Sequence, residues 1–456
     1  MQNMESKMKS IRYLLLFLIF FSKIINNIFF TNIVVLFFTI IWLYIFYRES
    51  RFMFFYSYII FTIFRSLISL FIIENFHVFL KDSNQFSFFK GSISEYMFLS
   101  MLILELLFFF YKKINFKRCS NKFLIDKKYY LFLSVMIISN VYVFIIRNKY
   151  GFIHRVEFYD KYLGANIFLH FLQIIIMFIP VYSGMIFNKN KFKSILLIGC
   201  LTLYSYLIGE KFGYFYIILC FILLGISFTS NNEKCKKIWK YIIIFGNIII
   251  ILCLSSFRTM YKISLPQAKN YFIQRVAQDN EVWWFFYDKK LQNLNIKNEL
   301  KSFKYHGTAD LYKIGYSEAR KFGSHMLGER MKGYQIIEGE YTRKRRIAAG
   351  SFIQLKIYGR QYYLFICIYI ILCYLTLKRL LKIIQLKEKN FFLNFFLLVY
   401  SAILLRFFLL IKTGLFQINN DFFNMKMLYF LILILINEIM IKILPRRKNE
   451  KNIHHL

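Results

Sequence analysis

Nowhere does the 456-residue chain alternate apolar and polar residues as the strands of a membrane β-barrel must. It carries no Gly-x-x-x-x-Gly-Lys-Ser/Thr loop, no zinc finger and no RRM-like or helix-turn-helix pattern. A barrel, a P-loop nucleotide site and a nucleic-acid reader are therefore not expected, and the +37 formal charge needs another explanation. Acidic residues are few, 24 against 61 Lys and Arg. Of the 7 cysteines, Cys119 and Cys235 fall in polar loops and Cys200, Cys220, Cys253, Cys367 and Cys373 fall in apolar runs, so no disulfide framework is expected. No small-residue cleavage site follows the first apolar run, which lies behind Lys7, Lys9 and Arg12; it reads as a retained helix rather than a leader.

Hydrophobic residues make up 58% of the chain and aromatics 21%, and they come in long blocks such as IVVLFFTIIWLYIF and YIILCFILLGISF. About 20 such residues cross a bilayer as a helix, because only a helix or a closed barrel satisfies its own backbone in lipid. The expected class is an all-α polytopic membrane protein with about 12 helices: 11–29, 33–47, 52–73, 94–111, 129–146, 167–187, 195–208, 212–228, 241–257, 362–377, 391–411 and 424–443. Lys and Arg concentrate in alternate loops, most strongly in YKKINFKRCSNKFLIDKK at 111–128, which places both termini in the cytoplasm. The expected organisation is helices 1–9 in residues 1–257, a long outer segment at 258–361, helices 10–12 in 362–443 and a cytoplasmic tail at 444–456. In a bacterium this is the inner (cytoplasmic) membrane, with the long segment in the periplasm.

A connection of about 100 residues is too long to be a simple link. It holds 20 Lys and Arg against 9 Asp and Glu, a net of +11, which suits an anionic ligand such as a lipid phosphate or pyrophosphate. Ser264-Leu265-Pro266 suits a helix start. If the helix runs on through QRVAQDNEVWWFF (274–286), Arg275, Gln278, Asp279 and Val282 share a face, flanked by Tyr271, Phe272, Val276, Trp283 and Phe286. That describes an interfacial helix offering Arg275 and Gln278 to a headgroup. The plainer reading is a packed helix in which Arg275 pairs with Asp279 at i,i+4. The Gly-rich stretch 328–352, with Arg343, Arg345 and Arg346, is either an anion cradle or a solvated charge run.

Two arginines sit inside apolar runs, Arg65 in FTIFRSLISLF and Arg406 in AILLRFFLLI. Each is costly in lipid unless paired or hydrated. They either pair with Glu105 and Glu438 or line a cavity opening toward the long segment. Lys211, in the turn between the seventh and eighth helices, is expected at headgroup depth, and cations there would hold phosphate oxygens.

With its dozen helices and late outer segment, the chain resembles the Wzy-type O-antigen and capsule repeat-unit polymerases. Locally the resemblance rests on Gly209-Glu210-Lys211-Phe212-Gly213, and on Arg275-Val276-Ala277-Gln278 followed by Trp283-Trp284. It implies a GT-C-like glycosyltransferase that moves a growing glycan from undecaprenyl pyrophosphate onto a carrier-linked repeat unit. It also implies no metal or other cofactor, and a chain-length regulator as a protein partner. By motif position the pyrophosphate-holding role falls on Lys211 and Arg275; Arg65, Arg258 and Arg406 are added from depth and charge. A general base for the acceptor hydroxyl is sought among His306, His325, Asp279 and Glu281. The candidate catalytic residues are therefore Arg275, Gln278, Asp279, His306 and His325. The rival readings are a lipid-linked oligosaccharide flippase, disfavoured by the absence of an internal repeat, an O-antigen ligase of the same architecture, and a membrane protein with no chemistry.

Overall fold

The computed structural model describes residues 2–114, 116, 129–150, 167–208, 212–287, 315–321, 323–342, 362–385, 435, 436 and 439, for some of them the backbone alone. The chain opens with α1 (Gln2–Ile25), α2 (Ile28–Arg48), α3 (Ser50–Phe55) and α4 (Ser57–Asn75). A hairpin of β1 (Phe79–Leu80) and β2 (Gln85–Phe86) follows, then α5 (Ser92–Lys112). Next come α6 (Tyr129–Tyr150), α7 (Ile167–Phe187), α8 (Lys191–Ile208), α9 (Phe212–Thr229) and α10 (Asn232–Tyr261). The remaining described elements are α11 (Leu265–Ala277), α12 (Glu281–Phe285), α13 (Tyr316–Ala319), α14 (Gly323–Lys332), α15 (Tyr334–Thr342) and α16 (Tyr362–Gln385).

This is a predominantly helical membrane protein. Among the described residues five helices, α2, α4, α5, α6 and α8, are long and apolar enough to cross a bilayer, and shorter apolar helical stretches run over Ile175–Phe187 and Phe215–Thr229. The expected helix at 391–411 lies outside the described residues, as does that at 424–443 apart from Leu435, Ile436 and Ile439. One expectation is corrected. The run at 52–73 is broken at Tyr56 into α3 and α4. The break follows tertiary contacts: Arg51 Nε donates to the Ser227 carbonyl at 2.8 Å and Ser57 Oγ to the Cys220 carbonyl at 2.8 Å, tying both sides of it to α9. Between α4 and α5 the antiparallel pairing of Phe79 with Phe86 and Leu80 with Gln85 adds a small hairpin to the helical fold. Asn84 takes a left-handed conformation in its turn (φ 51°), which asparagine tolerates better than most residues.

α4 is the central element, largely buried and packed against α5, α9, α11 and α12. At the end of α4 the buried Glu74 accepts from the Ser92 backbone N–H at 2.7 Å, so a side chain of one helix caps the start of the next. A second group is built from α6, α7, α8 and α9. Asn140 and Arg147 of α6 donate to carbonyls of α8, at Cys200 (3.0 Å), Leu207 (2.7 Å) and Ile208 (3.0 Å).

α7 and α9 cross at Gly184 and Gly225. A Cβ on either would overlap the Ile222 or the Val181 carbonyl oxygen, and a Cβ on Gly225 would also lie 3.0 Å from the Gly184 Cα. In lipid, where burial of apolar surface between helices gains little, close backbone approach through small residues is a main source of helix association. Gly225→Val is expected to destabilise by about 2 kcal/mol or more through overpacking. Gly199→Ala, which meets nothing within 4 Å, should be nearly neutral. Thermal unfolding of the two variants in detergent makes the comparison.

Candidate functional site

The site begins where α10 ends. Lys262 takes a left-handed conformation (φ 52°, ψ 41°) and its N–H returns to the Arg258 carbonyl, closing the helix and reversing the chain. The next helix starts as expected from its residues. Ser264 and Gln267 form a reciprocal capping box around Pro266, with the Ser264 N–H donating to Gln267 Oε1 at 2.9 Å. α11 then packs along α10 and reaches α4.

The helix does not continue to Val282. It stops at Ala277, and Gln278, Asp279 and Asn280 form a turn before α12. The groups freed by the break are taken up by α4: Ser69 Oγ donates to the Ala277 carbonyl at 3.0 Å, and Asn280 Nδ2 donates to the Ser66 carbonyl at 3.4 Å. Both oxygens of Asp279 accept from Arg65, one from Nε and the other from Nη2. The expected Arg275–Asp279 pair is not formed; Arg275 Nη1 instead donates to Gln278 Oε1 at 2.9 Å, and Arg275 is exposed. Glu105 is not the partner of Arg65 either, since Arg12 donates to it at 2.7 Å; Glu438 lies outside the described residues.

The depth of this junction is informative. Arg65 lies ten residues before the end of α4, about 15 Å along the helix axis. The break therefore meets a membrane-spanning helix well below its end. Irregular backbone at such depth is tolerated only where protein buries it or where it lines a wet cavity. Here both apply. Ala277 and Asn280 are buried, whereas the side chains of Arg65 and Asp279 keep 37% and 30% of their exposure. The Tyr58 and Tyr216 side chains lie within electrostatic reach of the same guanidinium.

α12 fastens the break from the other side. Trp283 and Trp284 are fully buried, whereas Trp283 was expected on the flank of an interfacial helix. Each donates its indole N–H to the loop between α4 and α5 or the start of α5, Trp283 to the Ser92 carbonyl at 3.3 Å and Trp284 to the Phe88 carbonyl at 3.0 Å. Lys90 Nζ sits 4.2 Å above the Trp284 ring. Glu281, also buried, accepts from the Ser83 N–H at 2.5 Å, and its second oxygen has no hydrogen-bond partner. Lys332 of α14 closes the group by pairing with Asp82 at 2.7 Å.

Arg258 is exposed near the end of α10. Lys211, His306 and Arg406 lie outside the described residues, as does the side chain of His325. The residues brought together are thus Arg65, Asp279 and, one helical turn before Asp279, Arg275 with Gln278. Ser66 and Ser69 were not anticipated. Their signal was available: two hydroxyls one turn apart beside Arg65 in an apolar helix mark a stripe that needs polar partners. Glu281 was considered as a base, but its burial and its bond to Ser83 make it part of the seat. Chemically, a guanidinium at membrane depth beside a partly open turn can receive an anion, with Asp279 as its present counter-charge. No family model, curated protein or solved structure matches this chain.

Burial pushes the Glu281 carboxyl above the usual carboxylate range, with the nearby Asp82 adding to the rise, while the Ser83 hydrogen bonds and Lys332 pull the other way. A raised folded-state value means the folded protein holds this proton more tightly than the unfolded chain. The associated stability is fully present below the unfolded value and is lost as pH climbs through the folded one. The melting temperature of Glu281→Gln minus that of the unsubstituted protein should therefore increase between about pH 4 and pH 8. A difference that stays flat or falls would show that Glu281 is not held in this way.

Proposed function

We propose that the chain is a polytopic, GT-C-like membrane glycosyltransferase of about 12 helices. Its reaction is the polymerisation of undecaprenyl-pyrophosphate-linked oligosaccharide repeat units into O-antigen or capsular polysaccharide. It works at the periplasmic face of a bacterial inner membrane, with both termini in the cytoplasm. The observation that carries this reading is the half-exposed Arg65, held ten residues inside a membrane-spanning helix against a break in a segment with net charge +11. A lipid-borne diphosphate is an anion that reaches such a depth, and the planar guanidinium fork matches its oxygens.

In the reaction an acceptor hydroxyl oxygen forms a bond to the anomeric carbon of the donor glycan as the bond from that carbon to the pyrophosphate oxygen breaks. The electron pair leaves with the diphosphate, and the hydroxyl proton passes to a base. The cations absorb the charge that develops on the leaving group, which is usually the largest single contribution to such catalysis. In this proposal they are Arg65, Arg258 and Arg275, together with Lys211 and Arg406. His306 and His325 are the candidate bases. Asp279, with both oxygens on Arg65, serves less readily as a base than either, and Gln278 positions Arg275 through its hydrogen bond.

The test is complementation of a deletion strain. Arg65→Gln and Arg275→Gln, at expression levels matched to the unsubstituted protein, should each lower polymer synthesis by about 10²-fold and leave single repeat units exported. Lys321→Gln, at an exposed pair with Glu318, should give normal polymer. Normal chain lengths with both arginine variants would overturn the assignment. Loss of all export, single units included, would point to a flippase.

A further inference from the structure

We propose that Asp279 is a resident counter-anion that a diphosphate ligand displaces from Arg65, so that ligand binding and release of the Gln278–Asn280 turn are one event. The inference rests on the reading of Arg65 as a phosphate-holding residue and adds what occupies that residue beforehand.

Three observations support it. First, Asp279 takes the Nε and Nη2 edge of the guanidinium with both carboxylate oxygens, the edge and geometry that two phosphate oxygens would use. Nη1 has no hydrogen-bond partner among the described residues. Secondly, the pair is not sealed. Its side chains remain 37% and 30% exposed although the backbone on either side, at Ala277 and Asn280, is buried. A fully enclosed pair would leave an incoming anion no path to the guanidinium, and this pair is not enclosed. Thirdly, the contacts that hold the turn are unequal. Trp283 and Trp284 are fully buried and hydrogen-bonded beyond it, and the Ser264 box caps α11 ahead of it. The turn itself is held to α4 by two neutral hydrogen bonds, at 3.0 and 3.4 Å, and by the ion pair. Removing the ion pair leaves a three-residue hinge between two anchored helices, one of which carries the exposed Arg275.

The physical consequence is competition. An empty site keeps Arg65 neutralised at a depth where an uncompensated cation is expensive. An arriving diphosphate takes over that role and brings a second negative charge, which the freed turn can meet with Arg275. Because Asp279 and the ligand exclude one another on Arg65, removing the carboxylate must strengthen anion binding, and bound anion must loosen the turn.

The experiment uses the full-length protein in detergent and two probes, inorganic pyrophosphate and farnesyl diphosphate, with affinities measured by calorimetry. Asp279→Asn is expected to bind either probe about tenfold more tightly than the unsubstituted protein, and Arg65→Gln to bind neither. If the asparagine variant does not fold, hydrogen exchange of the 277–280 amides in the unsubstituted protein gives an independent reading. Saturating pyrophosphate should speed their exchange while the Trp283 and Trp284 amides stay protected. Tighter binding of the farnesyl probe identifies the lipid-borne diphosphate as the source of the anion, and equal binding identifies the free one. If Arg65→Gln binds both probes normally, or if no form binds either, both the phosphate reading of Arg65 and this inference are overturned. If Arg65→Gln loses binding while Asp279→Asn gains nothing and exchange is unchanged, displacement alone is overturned and the phosphate reading stands.

Discussion

A broken helix held against an unbroken one is the constraint on which the rest of this protein turns. At Gln278–Asn280 the backbone leaves helical geometry at the level of residues 65–69 of α4. Far from water, unpaired backbone and side-chain dipoles there would each cost several kcal/mol. α4 supplies what is missing through Ser69, the Ser66 carbonyl and Arg65. The arginine needs the break as much as the break needs the arginine, because Asp279 is the only carboxylate recorded against it among the described residues.

The hairpin and α12 make that arrangement durable. Glu281, Trp283 and Trp284 each direct a polar atom into the segment joining α4 to α5 while burying their remaining surface. Lys332 reaches the same hairpin from α14. The opposite end of the junction is set by a capping box and a left-handed Lys262. Rigid anchors on both sides and a short polar turn between them concentrate any movement in three residues.

Much of the local structure was legible. The apolar blocks mark the helices, and Ser264, Pro266 and Gln267 mark the start of α11, since capping and first-turn preferences depend on near neighbours only. Arg65 stands out as an intramembrane charge for the same reason: its cost depends on the solvent, whatever its partner. The periodicity that placed Arg275, Gln278, Asp279 and Val282 on one face failed because helical spacing says nothing about a helix that tertiary contacts interrupt. Asn280 is a weak helix former, and within the break its side chain donates to the Ser66 carbonyl of α4. Trp283 looked interfacial, an inference from residue type that burial against α5 overrides.

Residue order alone determined that this is a helical membrane protein, strongly basic, with a long charged segment late in the chain and an arginine in an apolar helix, because each of these follows from how local composition responds to lipid or water. The partner of that arginine is 214 positions away. Only the tertiary structure decided that it is Asp279 and not Glu105, that α11 ends at Ala277, and that the aromatic cluster is buried. Those outcomes depend on which helices lie side by side, and two residues so far apart meet only once the packing of α4 against α11 and α12 has been settled.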